Sequence, residues 1–428
     1  MQVESMGVCD VIIIGAGPAG TSAAAVLAER GRRVIILEKD SFPRYRVGES
    51  LIPYCWFPLN RIGMIDKLKA SAFTKKYSVQ FVGKSGRVSQ PFYFFQHTEH
   101  DCSTTWQVVR SEFDRMLLDN AVEKGAEVMM PAAAKRLLYE DDRVVGVQGV
   151  LEDGKPFELR APMTIDASGR DLFAVKAHDW RVDDPQLRKV AVWTYYQGAR
   201  RDTGLDEGAT TVAYIPGNGW FWYIPLPEDK VSVGVVAERD YLYREGKGDP
   251  DAIFDREVES QPWVREHLTG GTKLSPCRVT GDYSYRSKYS AADGLVLTGD
   301  ALAFLDPVFS SGVFLALQSG VLAGDAVEAA LAAGDVSAER FNDYSEHLCS
   351  GIEAMRKLVY AFYDEAFRFS DLFKKYPDLR PDLTDCLIGN LEKDFDPLFG
   401  AIAEFAQVPS ALPHGRPRVT SRTPAGGG

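Results

Sequence analysis

The chain has 428 residues, 45% of them hydrophobic and 25% charged, enough to bury a large core in two or three domains. A formal net charge of −11 excludes a general nucleic-acid binder, whose affinity would rest on neutralising phosphates. The six cysteines form no CxxC pair and the six histidines no HxxxH or HExxH spacing, so free thiols and no metal site are expected.

The N-terminal "CDVIIIGAGPAG" is apolar, but glycines follow its short run where a signal peptide would place a cleavage site. No run reaches the roughly 20 apolar residues that cross a bilayer, so a cytoplasmic protein free of membrane is expected. The stretch "DVIIIGAGPAGTSAAAVLAERGRRVIILEKD" reads as strand, glycine turn, helix and second strand. Gly15, Gly17 and Gly20 form GxGxxG: a tight turn, close backbone approach to a pyrophosphate, and close helix–strand packing. Glu38 ends the second strand, placed to accept hydrogen bonds from ribose hydroxyls.

Three later stretches carry a resemblance. "FPRYRVGES" follows the second strand, "VVRSEFDRMLLDNA" places Arg110 before an amphipathic helix, and "GLVLTGDALAFLDPVFSSGVFLALQSGVLAGDAV" runs strand, Gly299-Asp300, loop and long helix from about Gly312. With "TIDASGR", this assembly resembles the FAD-binding fold of the aromatic-hydroxylase superfamily over about residues 9 to 330. The resemblance implies FAD as cofactor. It implies flavin contacts from Arg44, Glu49, Ser50, Arg110, Asp300, Pro307, Gly312 and Val313, with Asp300 on the ribityl chain. The expected fold is α/β, a GxGxxG FAD-binding domain with an inserted antiparallel-sheet substrate domain and a helical C-terminal region. Residues 1–80, 105–175 and 275–335 would form the FAD domain, and 81–104 and 176–274 the substrate-side sheet. Residues 336–408 would be helical, and 409–428 a disordered tail.

Within the inserted sheet, "TTVAYIPGNGWFWYIPLPEDKVSVGVVAE" reads as three strands joined by "PGNG" and "PEDK" turns. Trp220 and Trp222 share one face of the middle strand, which Ile224-Pro225 would close. Indoles also fill ordinary cores, and that is the competing reading. The motif WxWxIP (Trp220, Trp222, Ile224, Pro225), together with GxGxxG, resembles the flavin-dependent halogenases. In that family reduced flavin (FADH2), delivered by a separate reductase, activates O2 to a species that would hydroxylate any ring touching it. The tryptophans would form a partition that only a small oxidised halogen species crosses. Lys76 in "FTKKYS" matches the family's lysine, although Ser78 replaces a glycine. It would direct hypohalous acid or a chloramine to the ring, and Lys75 is the competing residue. In "DPVFSSG" the amides of Ser311 and Gly312 would hold chloride. Phe309 stands in the substrate pocket where tryptophan halogenases carry a glutamate, which argues against free tryptophan and for an electron-rich pyrrole or phenol.

The chain's length further resembles halogenases of pyrrole thioesterified to a peptidyl carrier protein. Arg356-Lys357 and Lys374-Lys375 are candidates for a basic face toward such a carrier, against the ordinary reading of solvated surface. An FAD-dependent aromatic monooxygenase, a halogenase of a free phenol, and a flavoprotein that only binds remain alternatives.

Overall fold

The computed structural model describes residues 4–217, 219–246, 248–281 and 284–419. The chain opens with β1 (Val11–Ile14), helix α1 (Pro18–Glu29) and β2 (Val34–Leu37). Short strands β3 (Thr74–Lys76), β4 (Ser78–Val82) and β5 (Thr105–Gln107) follow, then α2 (Arg110–Glu123), β6 (Glu127–Met129) and β7 (Met163–Asp166). Long strands come next: β8 (Lys189–Gln197), β9 (Thr210–Ile215), β10 (Gly219–Leu226) and β11 (Lys230–Glu238). Helices α3 (Pro250–Ser260) and α4 (Pro262–Leu268) lead to β12 (Arg278–Gly281), β13 (Leu295–Leu297), α5 (Gly312–Ala332) and α6 (Asn342–Tyr363).

Strands β13, β7, β1, β2 and β6 lie side by side and parallel, with Ala291–Ala292 antiparallel at one edge. All four residues of β1 and of β2 are buried, as a sheet covered on both faces requires. Helix α5 is the one helix among the described residues long and apolar enough to cross a membrane by length and composition. Here it packs against α1 and α6 as a core helix.

The second sheet runs Thr272–Lys273, β8, β11, β10, β9, β4, Phe92–Tyr93. It was expected to be antiparallel, but it is mixed: β4 runs parallel to β9, Val79 opposite Thr210 and Phe81 opposite Val212. The chain between β4 and β9 passes through the first sheet, and such a long crossover permits parallel pairing. Strand β4 and strand β12, which pairs with β8, both belong to this sheet.

Alternation along β10 divides two cores. Trp220, Trp222 and Ile224 join the core shared with the first sheet. Phe221 and Tyr223 join a second core with α3 and α4. Proline does not close β10 as expected. Pro225 pairs with Val231 and the strand runs to Leu226. Pairing with β9 stops at Tyr223, so the missing N–H of Pro225 falls beyond the β9 ladder, where it costs no bond.

The C-terminal tail is also corrected. Residues 409–419 are held to the body by backbone bonds: Gly415 N donates to Lys288 O, Ser290 N to Arg416 O, and Arg418 N to Ala291 O. The apolar pattern could not reveal this, because the tail is held by its backbone. Residues 420–428, and Asn218 of the "PGNG" turn, lie outside the described residues.

Candidate active site

Between the two sheets lies a cavity of about 910 Å³. At its first end β1 gives way to Gly15, whose φ of +104° L side chains rarely adopt. A Cβ at Gly20 would stand 2.0 Å from the Gly15 carbonyl oxygen, so glycine is required for α1 to pack this closely. Gly17 caps α1, Pro18 follows at its first position, and no side chain caps the first amides. Gly15, Gly17, Pro18 and Ala19 line the cavity, so those amides and the helix dipole suit an anionic group there.

Glu38 accepts from Ala16 N at 2.9 Å and Asp40 N at 3.0 Å, and pairs with Arg44 at 3.3 Å. Arg44 also reaches Asp114 at 3.2 Å, and Asp114 accepts from Arg110 Nε at 2.9 Å. The Arg44 Nε is buried with no partner among the described residues. Asp300 lines the cavity beside these cations, and no hydrogen bond to its carboxylate is found among the described residues. Burial raises its pKa to about 6 against the opposing pull of Arg170 and Arg110. An open helix N-terminus as donor, a ribose-range carboxylate and a half-buried carboxylate with free acceptors are the polar groups a flavin dinucleotide needs. The residues present therefore fit FAD.

Trp220, Trp222 and Ile224 wall the far end of the cavity. The two indoles stand 6.2 Å apart, tilted by 52°. Both N–H groups are tied: Trp220 Nε1 donates to Tyr363 Oη at 2.8 Å and Trp222 Nε1 to Ser232 Oγ at 3.1 Å. Tyr363, the last residue of α6, donates in turn to Asp306 Oδ2 at 2.9 Å. Burial pushes Asp306 up to about 6, against the Tyr363 hydrogen bond. Trp222 lies over Gly234 of β11, where a Cβ would be 2.3 Å from the indole ring.

Lys76, at the end of β3, is 1% exposed. Its Nζ donates to Ser50 Oγ at 2.8 Å and to Leu51 O at 3.1 Å. Burial without a carboxylate partner lowers its pKa to about 7, opposed only by the Cys55 thiol. Ser50 lines the cavity and Lys76 stands behind it. Lys75 is exposed.

Pro307, Gly312 and Val313 line the cavity, while Ser311 is buried at the cap of α5 and provides no side-chain cap. The first amides of α5 are therefore left without a capping side chain. A Cβ at Gly312 would meet nothing within 4 Å. Gly312→Ala is therefore expected to fold like the parent, and a melting curve checks this.

Of the residues singled out from sequence, the cavity gathers Gly15, Gly17, Glu38, Arg44, Glu49, Ser50, Arg110, Asp300, Pro307, Gly312, Val313, Trp220, Trp222 and Ile224. Gly20, Ser311, Lys76, Phe309 and Pro225 do not line it. Phe309 meets Phe362 edge-on at 5.6 Å, and Phe362 stacks on Tyr214 at 5.2 Å. Arg356 is no surface cation: it is buried and paired with Asp184 at 2.7 Å and Glu353 at 3.1 Å. Lys357 lies over the Phe399 ring, Lys374 pairs with Asp371, and Lys375 pairs with Glu404.

Sequence reading missed Thr210, Tyr363, Gly234 and the mouth of the cavity. At that mouth Tyr45 stacks on Trp193 at 5.3 Å beneath the Arg278 guanidinium. Only Gly234 left a signal, a lone glycine inside an apolar strand.

The sequence profile described as tryptophan halogenase matches residues 10–104 and 83–377. The chain is 30% identical to the 1H-pyrrole-2-carbonyl-[peptidyl-carrier protein] brominase of Pseudoalteromonas luteoviolacea, over 89% of this chain and 90% of that one. It is also 30% identical to the corresponding chlorinase of Pseudomonas fluorescens, over 89% of each. The structure of the flavin-dependent brominase Bmp2 superposes with a TM-score of 0.83 at 29% identity, covering 93% of this chain and 97% of that one. A dinucleotide cavity walled by paired indoles, with a buried lysine behind it, and these matches along most of the chain place the protein in one family: it belongs to the flavin-dependent halogenases.

Proposed function

We propose that this enzyme uses FADH2, O2 and chloride to halogenate an electron-rich ring, a pyrrolyl group held as a thioester on a peptidyl carrier protein. A separate reductase supplies the reduced flavin. The observation that carries the reading is Lys76, an amine buried one hydroxyl away from the cofactor cavity. Reduced flavin, when bound, supplies the activation of O2 that oxidises the halide. Trp220 and Trp222 keep the ring out of that compartment, and the first amides of α5, at Ser311 and Gly312, offer the halide its donors.

A neutral amine has two N–H bonds, and both have acceptors here, Ser50 Oγ and Leu51 O. The lone pair is left free to take halogen from hypohalous acid. An N–halogen bond forms, the oxygen–halogen bond breaks with its pair on oxygen, and hydroxide takes the amine proton as water. The ring then attacks the halogen, the N–halogen pair returns to nitrogen, and nitrogen regains one proton as the ring carbon releases one. Phe309 packs on Phe362, which packs on Tyr214, and a phenylalanine rather than a carboxylate at 309 suits a ring that needs no added base. The pyrrolyl-carrier substrate is supported by the two relatives of matching length that act on it.

Purified enzyme is expected to chlorinate pyrrolyl-carrier thioester in the presence of FAD, a flavin reductase, O2 and chloride. Intact-protein mass spectrometry reads the chlorine isotope pattern, and parallel runs use bromide, free pyrrole and free phenols. A gain of oxygen instead would make the enzyme a monooxygenase. Turnover of free phenol but not the thioester would move the substrate.

A further inference from the structure

Lys76 is not isolated behind its wall. Ser50 Oγ, which accepts from Lys76 Nζ, lies 2.7 Å from Thr210 Oγ1. Thr210 Oγ1 accepts from Gln107 Nε2 at 2.8 Å, and the same nitrogen donates to Gly208 O at 2.9 Å. The Gly208 carbonyl can only accept, so it fixes which end of the Gln107 amide is nitrogen. Gln107 is therefore a donor to Thr210. All four side chains are buried, and Ser50 and Thr210 both line the cavity.

We infer that Thr210 is a positioning residue for Lys76, acting through Ser50 and reporting to the lysine whether the flavin cavity is filled. The inference rests on the reading of Lys76 as the halogen-transferring amine. The hydrogen count gives the mechanism. Two hydroxyl protons are available between Ser50 and Thr210, and one of them forms the bond between the two oxygens. The other is left for an acceptor in the cavity. When an occupant accepts from Thr210, Ser50 must donate to Thr210, and the remaining lone pairs of Ser50 face Lys76. The amine then donates to Ser50 and Leu51, and its own lone pair is held in one direction. Without an occupant the Ser50–Thr210 bond can reverse, and the amine loses that fixed orientation. Gln107 pins the far end because both of its N–H groups are already used.

The environment of Lys76 is simple enough to make this visible. The Cys55 thiol, pushed up to about 12 by burial, is the one titratable group acting on it among the described residues, and the Phe94 ring lies 5.6 Å away. Thr210→Val keeps the shape and removes the hydroxyl, whereas Thr210→Ser keeps the hydroxyl.

Selective ε-¹³C-lysine labelling, with Lys76→Met to assign the signal, follows the titration of Lys76 by NMR with and without oxidised FAD. In the parent protein, FAD is expected to shift the Lys76 midpoint and signal. In Thr210→Val the FAD-dependent shift disappears, and in Thr210→Ser it returns. Halogenation by Thr210→Val is expected to fall about 10- to 100-fold in kcat, the scale of a misplaced reacting group, with KM for halide unchanged. FAD affinity is expected to fall severalfold, by the one hydrogen bond Thr210 gives its occupant, and the melting temperature by a few degrees, because Gln107 Nε2 loses an acceptor; Thr210→Ser should restore both. A parent-like FAD response in Thr210→Val, or a Thr210→Ser variant that behaves like valine, overturns the inference. If the NMR response is as expected but no aromatic substrate is halogenated, the functional reading fails and the positioning inference stands.

Discussion

Replacing Lys76 by methionine is expected to lower ring halogenation by about 10²- to 10⁴-fold, the range for losing a positioned acid–base or nucleophilic group. FAD binding and O2 consumption should continue, because the hydrogen bonds of Lys76 go to Ser50 and Leu51 and none reaches the pyrophosphate end. The oxidising equivalents would then appear as hydrogen peroxide, measured against halogenated product. The pH dependence follows from burial, which holds the amine near 7 in place of its ordinary value of 10.5. Below about 7 the amine is protonated and its lone pair is lost, so halogenation should rise with pH through that midpoint. The same shift appears in stability with a definite sign. Between about 7 and 10.5 the unfolded chain binds the proton that the folded chain has released, so Lys76 makes folding more favourable as pH rises across that window. A Lys76→Met variant with parent-like halogenation would remove the lysine from the chemistry.

The second large effect is expected at Gly234, which touches nothing reactive. An alanine there would put its Cβ 2.3 Å from the Trp222 ring and 2.5 Å from Trp193 Cβ. Overpacking of this kind costs about 1–3 kcal/mol, and the cheapest relief is to push Trp222 toward the flavin cavity. Gly234→Ala should therefore melt several degrees lower and yield less halogenated product per O2 consumed. Gly400→Ala is the control, since a Cβ there meets nothing within 4 Å and alanine suits a helix. Denaturant melts and the ratio of product to oxygen test both variants. Parent-like stability and coupling in Gly234→Ala would mean that the indole does not set the partition.

The parts legible from residues alone are those whose chemistry is local in the chain. Gly15, Gly17 and Gly20 specify a turn and a helix start within six positions, and alternation put Trp220 and Trp222 on one face. Lys76 was legible through a short motif, but its burial and its lowered pKa were not. The basic face toward a carrier was misread at Arg356, because a cation on an amphipathic helix looks the same in sequence whether solvated or paired with a distant Asp184. Tyr363 carried no local signal of its role, although it accepts from the Trp220 indole across 143 positions of chain.

Sequence by itself determined the dinucleotide unit, the paired indoles, the candidate lysine and the order of the pieces, because backbone turns and side-chain alternation act over a few residues. Tertiary structure alone decided that β4 pairs parallel with β9, that Gly234 makes room for Trp222, and that Thr210 and Gln107 reach Lys76 through Ser50. Apart from Ser50–Lys76, 26 positions apart, those contacts join residues more than a hundred positions apart or on facing strands. Their geometry is set by strand register and helix packing, which no local pattern in the chain encodes.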